Sequence, residues 1–284
     1  MISAWLGLAS ALGLGTADFM ARFSARALGA SLTYAVVLLI GALATTIWIF
    51  ATSAELVWSP YGCGVAVIHG ISVSVMCILL YEGMARGPIA VVAPIVATHP
   101  VPVLAVNVLM GVRPSAVEWG AMAIVIVGGV LISRHAISEV EPSEAKANRT
   151  TLLIALGACL AYVAIVLTAQ AATPIIGELE TMWIGRWSGL AFIALVLVIQ
   201  GVRLQVPLTW WPFVGLQGGL DSLGYLAFLA GANTAAPHVT MVVASAFSVV
   251  TVLLAWVIIK EQITPMQWAA IALIALGTAV LSGT

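Results

Sequence analysis

Charged residues are scarce in this 284-residue chain, because Asp, Glu, Lys and Arg together make up only 7% of it. Ordinary soluble proteins carry about 25%. The apolar fraction is 62% and the mean hydropathy is +1.15, values that exclude a compact water-soluble fold. The formal net charge of −1 offers no basic surface for nucleic acid, which we do not expect as a partner.

Several motifs of catalysis and metal binding are also missing. The chain has four histidines, and none of them has a metal-ligand spacing such as HExxH. It contains no phosphate-binding P-loop and no Ser/His/Asp or paired-carboxylate pattern at usable spacing. We therefore expect a protein that is not an enzyme, that holds no metal or other cofactor, and that does not use ATP directly.

Long apolar runs make up most of the sequence. Each run approaches the roughly 20 residues that a helix needs to cross the hydrocarbon core of a bilayer. The ten predicted spans are 3–23, 32–51, 62–84, 88–110, 115–133, 151–171, 180–200, 212–232, 237–259 and 265–282. We predict an all-α integral membrane protein with ten transmembrane helices, a multi-pass protein of the cytoplasmic membrane.

The second half of the chain repeats the first. A shift of 149 residues aligns 87–133 with 236–282 and superposes Pro88 on Pro237, Trp119 on Trp268 and Gly128 on Gly277. Each copy holds five spans, and an odd number inverts the second copy in the membrane. We predict two inverted five-helix repeats, 1–133 and 151–284, joined by a charged linker over 134–150. Such repeats are typical of secondary transporters.

A family resemblance rests on the end of each repeat. The second repeat has Pro237, an apolar span, the segment Lys260-Glu261-Gln262-Ile263-Thr264, and then Trp268 and Gly277. This pattern resembles the EamA family of the drug/metabolite transporter superfamily. Thr98-His99-Pro100-Val101 resembles the Glu-Pro-Val position of the first repeat, and Arg186 an arginine common in the second helix of a repeat. The chain departs from the pattern at three positions: His99 replaces Glu, Val112 replaces Glu, and Lys260 replaces Gly.

The resemblance implies a secondary transporter that exports small metabolites by alternating access. It favours amino acids, aromatic ones included, or related zwitterions. A passive facilitator or pore, and a multidrug exporter for small organic cations, are the alternatives on the same fold. The expected partners are a small-molecule substrate and the lipid bilayer, with proton coupling left open, and the expected oligomeric state is a monomer or weak dimer.

Polar side chains within the spans mark the candidate cavity, since a charge at hydrocarbon depth is costly. Asp221 could bind a substrate amine or a proton, or serve as a structural acceptor. Arg186 could hold a substrate carboxylate or pair with Asp221. Asp18 and Arg22 share a helix face and could form an interfacial ion pair, with Asp18 near the cavity mouth. The candidate residues for substrate or coupling are Asp221, His99, Arg186, Tyr225, Tyr162, Asp18, His69 and Gln217.

The span over 88–110 contains three prolines, Pro94, Pro100 and Pro102. Each proline lacks a backbone donor and disfavours a straight helix, whereas the repeat counterparts are Val243, Val249 and Thr251. We predict a kink beside His99 in the first half alone, which would act as a gate or merely as a bend. The kink would leave carbonyls such as that of Val96 exposed.

Loop charges predict the orientation. One side of the membrane carries Arg22, Arg26, Arg86, Arg134, Lys146, Arg149, Arg203 and Lys260, whereas Arg113 is the only loop Lys or Arg on the other. The positive-inside rule places the first side in the cytoplasm and both termini outside, opposite to the usual drawing of the family.

A cysteine in the linker tests this orientation. A single cysteine within 134–149 should resist a membrane-impermeant thiol reagent in intact cells, because the charge count places the linker in the cytoplasm. Labelling of a cysteine at the C-terminus is the matched control. Rapid labelling of the linker with protection of the C-terminus would contradict the charge count.

Overall fold

Helices account for nearly all of the residues that the computed structural model describes, which are 1–52, 56–138, 142–202 and 204–283. The helices are α1 (Ile2–Leu28), α2 (Ala30–Thr52), α3 (Pro60–Arg86), α4 (Ile89–Val96), α5 (Pro100–Leu109), α6 (Ala116–Ser138), α7 (Pro142–Ile176), α8 (Glu178–Ile199), α9 (Trp211–Ala232), α10 (Pro237–Ala244), α11 (Phe247–Ile258) and α12 (Pro265–Gly283). A short 3₁₀ turn, Leu208–Trp210, precedes α9.

The helices coincide with the predicted spans. Within the described ranges, nine segments are long and apolar enough to cross a membrane, and Ala116–Ile132 is a shorter apolar helix. The α4–α5 pair and the α10–α11 pair each form one span in two pieces. The predicted all-α membrane fold is therefore confirmed.

Consecutive spans alternate in direction, which defines two sides of the molecule. We call the side with both chain ends and the loop between α7 and α8 the terminal side. The opposite side, with the loops that join α1 to α2, α3 to α4 and α11 to α12, is the linker side. These names are used below without reference to the cell.

Helices of the two halves pack against each other in matched pairs. The α1 helix packs on α9 as α7 packs on α3, and α2 packs on α9 as α8 packs on α3. When the two halves are aligned by the repeat, α1 corresponds to α7, α2 to α8 and α3 to α9, so each of these contacts has an equivalent in which the halves are exchanged. The inverted relation of the halves itself stays a prediction.

The contact of α1 with α11 is unusually close. A Cβ built on Gly15 would lie 2.7 Å from the Val250 Cβ, so a side chain there would force the helices apart. This approach brings α1 into the middle of the bundle, between α9 and the broken helix of the second half.

The predicted kink occurs in both halves, so its restriction to the first half was wrong. Ala97–His99 separate α4 from α5, and Ser245 and Ala246 separate α10 from α11 without a proline in the break. Pro100 occupies the first position of α5, where a backbone N–H would have no acceptor within the helix, so its absence in proline costs no hydrogen bond. The proline accommodates the break and does not cause it.

The expectation of an exposed Val96 carbonyl was also wrong. The Val96 oxygen accepts from the His99 backbone N–H at 3.1 Å and lies 3.2 Å from the His99 Nδ1. His99 thus satisfies the carbonyl that the break releases.

Replacement of Pro100 should therefore be tolerated. Pro100→Ala should change the free energy of unfolding by less than about 1 kcal/mol, because the break does not depend on the proline. Val103→Pro, inside α5, should cost about 3 kcal/mol and serves as the comparison. Thermal unfolding in detergent measures both. A loss in Pro100→Ala as large as that in Val103→Pro would show that the proline shapes the break.

Candidate functional site: a polar centre within the bundle

The centre of the bundle holds an ion pair between α8 and α9. The Arg186 Nη2 lies 3.2 Å from the Asp221 Oδ2, and the side chains are 8% and 22% exposed. Of the roles considered for these residues, mutual pairing is the one the structure forms. A single contact of this length is weaker than the bidentate arrangement that arginine and carboxylate can adopt.

Two further residues shape the space around the Arg186 guanidinium. Its carbon lies 5.2 Å from the centre of the Tyr225 ring, in a cation–π contact. On the other side, a Cβ at Gly41 of α2 would overlap the Arg186 Nη1 and lie 2.6 Å from its Cζ. The guanidinium therefore occupies the volume that any side chain at position 41 would need. Sequence reasoning missed Gly41, because a glycine in an apolar span gives no sign of what faces it.

Asp18 of α1 approaches the ion pair without joining it. Its carboxyl group lies within electrostatic range of Asp221. No hydrogen bond or ion pair from Asp18 is present in the part of the chain that the structure describes. The predicted pair with Arg22 was wrong, because the Arg22 guanidinium donates to the Gly87 carbonyl and pairs with Glu261 instead.

His99 and Tyr162 form an aromatic wall near this centre. Their rings are stacked, with centroids 3.7 Å apart and an interplanar angle of 22°. Tyr162 on α7 is within electrostatic range of both Tyr225 and Asp18. Six of the predicted residues thus come together from α1, the α4–α5 break, α7, α8 and α9: Asp18, His99, Tyr162, Arg186, Asp221 and Tyr225.

The two other predicted residues bind protein groups elsewhere. The His69 Nδ1 lies 3.1 Å from both the Ile165 carbonyl and the Thr168 hydroxyl, where it ties α3 to α7. Gln217 is fully buried. It accepts a hydrogen bond from Ser24 at 2.7 Å and donates one to the Tyr81 hydroxyl at 3.2 Å. The polar atoms of both side chains are engaged in contacts between helices.

A vestibule on the terminal side leads toward the ion pair. It has a volume of about 300 Å³ and lies between the ends of α2, α8 and α9. Its lining residues are Trp48, Glu178, Leu179, Glu180, Leu226, Leu229, Ala230 and Asn233. Leu226 directly follows Tyr225 on α9, so the vestibule reaches the helical turn that carries a ring in contact with Arg186. Sequence reasoning did not single out the two glutamates, which stand at a predicted span end.

The centre combines acidic and basic groups. Two carboxylates and one guanidinium can take an ammonium and a carboxylate, and the aromatic rings can contact a flat apolar group. Among the described residues, no group of three His, Cys, Asp or Glu side chains is arranged to hold a metal ion.

Gly41 tests the packing of the ion pair. Gly41→Ala should displace the Arg186 guanidinium and leave Asp221 without its partner, a loss of about 3 kcal/mol for a broken buried pair. Gly219→Ala is the matched control, because a Cβ there meets nothing within 4 Å. Thermal unfolding in detergent should show a lower midpoint for Gly41→Ala alone. Equal midpoints in both variants would contradict the assigned role of Gly41.

Comparisons with known proteins agree with this architecture. The model of the EamA-like transporter family matches residues 149–283, which cover the second predicted repeat. A protein of known crystal structure aligns with 98% of this chain and 95% of its own, with a TM-score of 0.68 and 18% sequence identity. At that identity the likeness shows the fold. No curated protein matches the chain.

The family match and the helical architecture agree with each other. Members of the matched family are membrane transporters rather than enzymes. Residues 149–283 match the EamA-like transporter family, and the described apolar helices are those of a multi-pass membrane protein.

Proposed function

We propose that this transporter exports small amine-bearing metabolites, amino acids first among them, across the cytoplasmic membrane. The observation that carries the proposal is the Arg186–Asp221 pair beneath Tyr225, beside the floor of the vestibule. Charged groups in a transmembrane segment are expensive and mark substrate or ion pathways by default.

The pair offers both halves of a zwitterion a counterion. A bound amino acid would place its ammonium on Asp221 and its carboxylate on Arg186, so that ionic contacts are exchanged and the net charge of the centre does not change. The single 3.2 Å contact between Arg186 and Asp221 can separate more readily than a bidentate one.

Aromatic side chains around the centre favour a flat substrate group. Tyr225 already contacts the guanidinium, and His99 and Tyr162 stack close by. Trp183 and Trp187 each donate from the indole nitrogen to the Thr46 hydroxyl, at 2.9 and 3.1 Å. Rings held in place in this way lose little freedom when a substrate binds.

Alternating access follows from the two-part architecture. The vestibule opens on the terminal side. Rocking of one half against the other would close this opening and make the polar centre accessible from the linker side. Asp18, which has no ion-pair partner among the described residues, is the group we propose for a coupling proton.

A second candidate function, export of small organic cations, is favoured by the same carboxylate. Asp18 and Asp221 outnumber Arg186 in the centre, and Glu178 and Glu180 line the entrance. A substrate with an amine and no carboxylate would leave the Arg186 contact unused.

Asp221→Asn tests both functions. The variant keeps the shape of the side chain but removes its charge, so uptake into proteoliposomes should fall at least about tenfold, or about 1.4 kcal/mol of transition-state stabilisation. Glu82→Gln, in an exposed pair within α3, is the matched control. The substrates to screen are phenylalanine, lysine, phenylethylamine and glucose, of which glucose is the neutral comparison.

Arg186→Gln separates the two substrate classes. It should abolish uptake of phenylalanine and spare phenylethylamine if the guanidinium holds a substrate carboxylate. Equal loss for both would favour the cation function with a structural Arg186. Wild-type uptake in Asp221→Asn would contradict the proposed site altogether.

A further inference from the structure

Three elements meet at Glu261 on the linker side. The Glu261 Oε1 accepts the Ala90 N–H at 2.8 Å, and the Oε2 accepts the Ile89 N–H at 3.2 Å, both at the N-terminus of α4. The Arg22 Nη1 of α1 lies 3.9 Å from the same Oε2 and donates to the Gly87 carbonyl at 2.6 Å. We call these contacts the linker-side latch.

The latch joins the two halves of the chain. Arg22 and the start of α4 belong to the first half, and Glu261 lies in the loop between α11 and α12 of the second. A carboxylate at a helix N-terminus is held by free N–H groups and by the helix dipole. The Arg22 and Glu261 side chains are only 16% and 13% exposed, so water screens the latch far less than it screens a surface pair.

The backbone at Lys260 helps to direct Glu261 toward α4. Lys260 has φ +52°, a left-handed conformation that favours glycine, and it ends α11 with a sharp turn. The Glu261 N–H then bonds back to the Ala255 carbonyl at 3.1 Å. This places the carboxylate beneath α4, instead of in the water beyond the loop.

The terminal side lacks the counterpart of the latch in the register of the repeat, although the Glu180 Oε1 accepts the Val57 N–H there at 2.9 Å. In the register of the repeat, Glu261 corresponds to Val112, which is 51% exposed, and Arg22 corresponds to an alanine, Ala171 or Ala172. No ion pair joins the halves on that side within the described ranges. The vestibule opens on the terminal side, whereas the cavity of about 600 Å³ beside Glu261 on the linker side is lined by the end of α11 and the loop after it, and so does not lie between the halves.

We infer that the linker-side latch is the closed gate of the transporter. The latch must separate before the central cavity can open on the linker side, because α4 cannot leave α11–α12 while Glu261 holds its first two N–H groups. Because the terminal side lacks a counterpart of these contacts, the substrate-free protein favours the conformation that is open on the terminal side. Glu261 and Arg22 are thus gating residues and do not contact the substrate.

Thiol labelling at two positions tests the gate. In a background with Cys63, Cys77 and Cys159 replaced by serine, one variant carries Ala21→Cys and another Leu229→Cys. Ala21 is fully buried next to Arg22, whereas Leu229 lines the vestibule. The measurement is the rate of modification by a water-soluble maleimide in detergent.

Loss of the latch should move the two rates in opposite directions. Glu261→Ala should accelerate labelling at position 21 at least about tenfold and slow it at position 229, as expected for a shift between two conformations. Glu82→Gln removes an ion pair on the same side that lies within one helix, and it should change neither rate.

Milder variants keep the test decisive if Glu261→Ala does not fold. Glu261→Gln retains an acceptor for one N–H, and Arg22→Gln leaves the cap on α4 intact, so both should shift the rates in the same directions by less. Unchanged rates in folded Glu261→Gln and Arg22→Gln would overturn the inference and leave Glu261 as a helix cap. Faster labelling at both positions would also overturn it, because it would indicate general loosening. Labelling requires no substrate, so its outcome is independent of the proposed function.

Discussion

The hydrocarbon core of a bilayer offers no water, so every polar group there must find its partner within the protein, and the rest of this structure depends on that constraint. Helices satisfy their own backbones over most of the chain. At the break between α4 and α5, the His99 side chain is in hydrogen-bond contact with the Val96 carbonyl. At the break between α10 and α11, the Ser245 hydroxyl donates to the Val242 carbonyl. Among the side chains, Arg186 and Asp221 meet this requirement by pairing with each other. Asp18 lies near this pair and forms no hydrogen bond or ion pair with the other described residues, which is why we propose it for the coupling proton.

The polar centre and the linker-side latch are two ionic devices of different kinds. The centre lies inside the bundle, where one ionic contact joins α8 to α9. The latch lies at one end of the bundle and ties the halves together through a carboxylate and two backbone N–H groups. Because Val112 replaces the carboxylate at the equivalent position, the architecture is asymmetric at its two ends even though the helices pack in matched pairs.

Much of the fold could be predicted, because apolar runs and polar interruptions translate directly into spans and loops. The site was predicted in part, on the argument that a mid-span charge is costly, and that argument found Asp221, Arg186 and Asp18. It failed for Arg22, whose neighbour in the helix is Asp18 but whose partners, Gly87 and Glu261, are distant in sequence. It also failed for Gly41, since a missing side chain carries no sign of the guanidinium that fills its place. The break in the second half escaped notice because no proline marks it.

The sequence by itself determined the membrane fold, the approximate positions of the apolar spans, and the polar residues that those spans contain. Hydrophobicity and length are local properties, and a helix in lipid needs no distant partner to form. Only the tertiary structure decided which polar residues meet, because the contacts of Arg186 with Asp221 and of Glu261 with α4 depend on how the helices cross. It also decided at which end Glu261 ties the halves together and at which end the vestibule lies. Those outcomes follow from distances between residues far apart in the chain, which hydrophobicity and length do not encode.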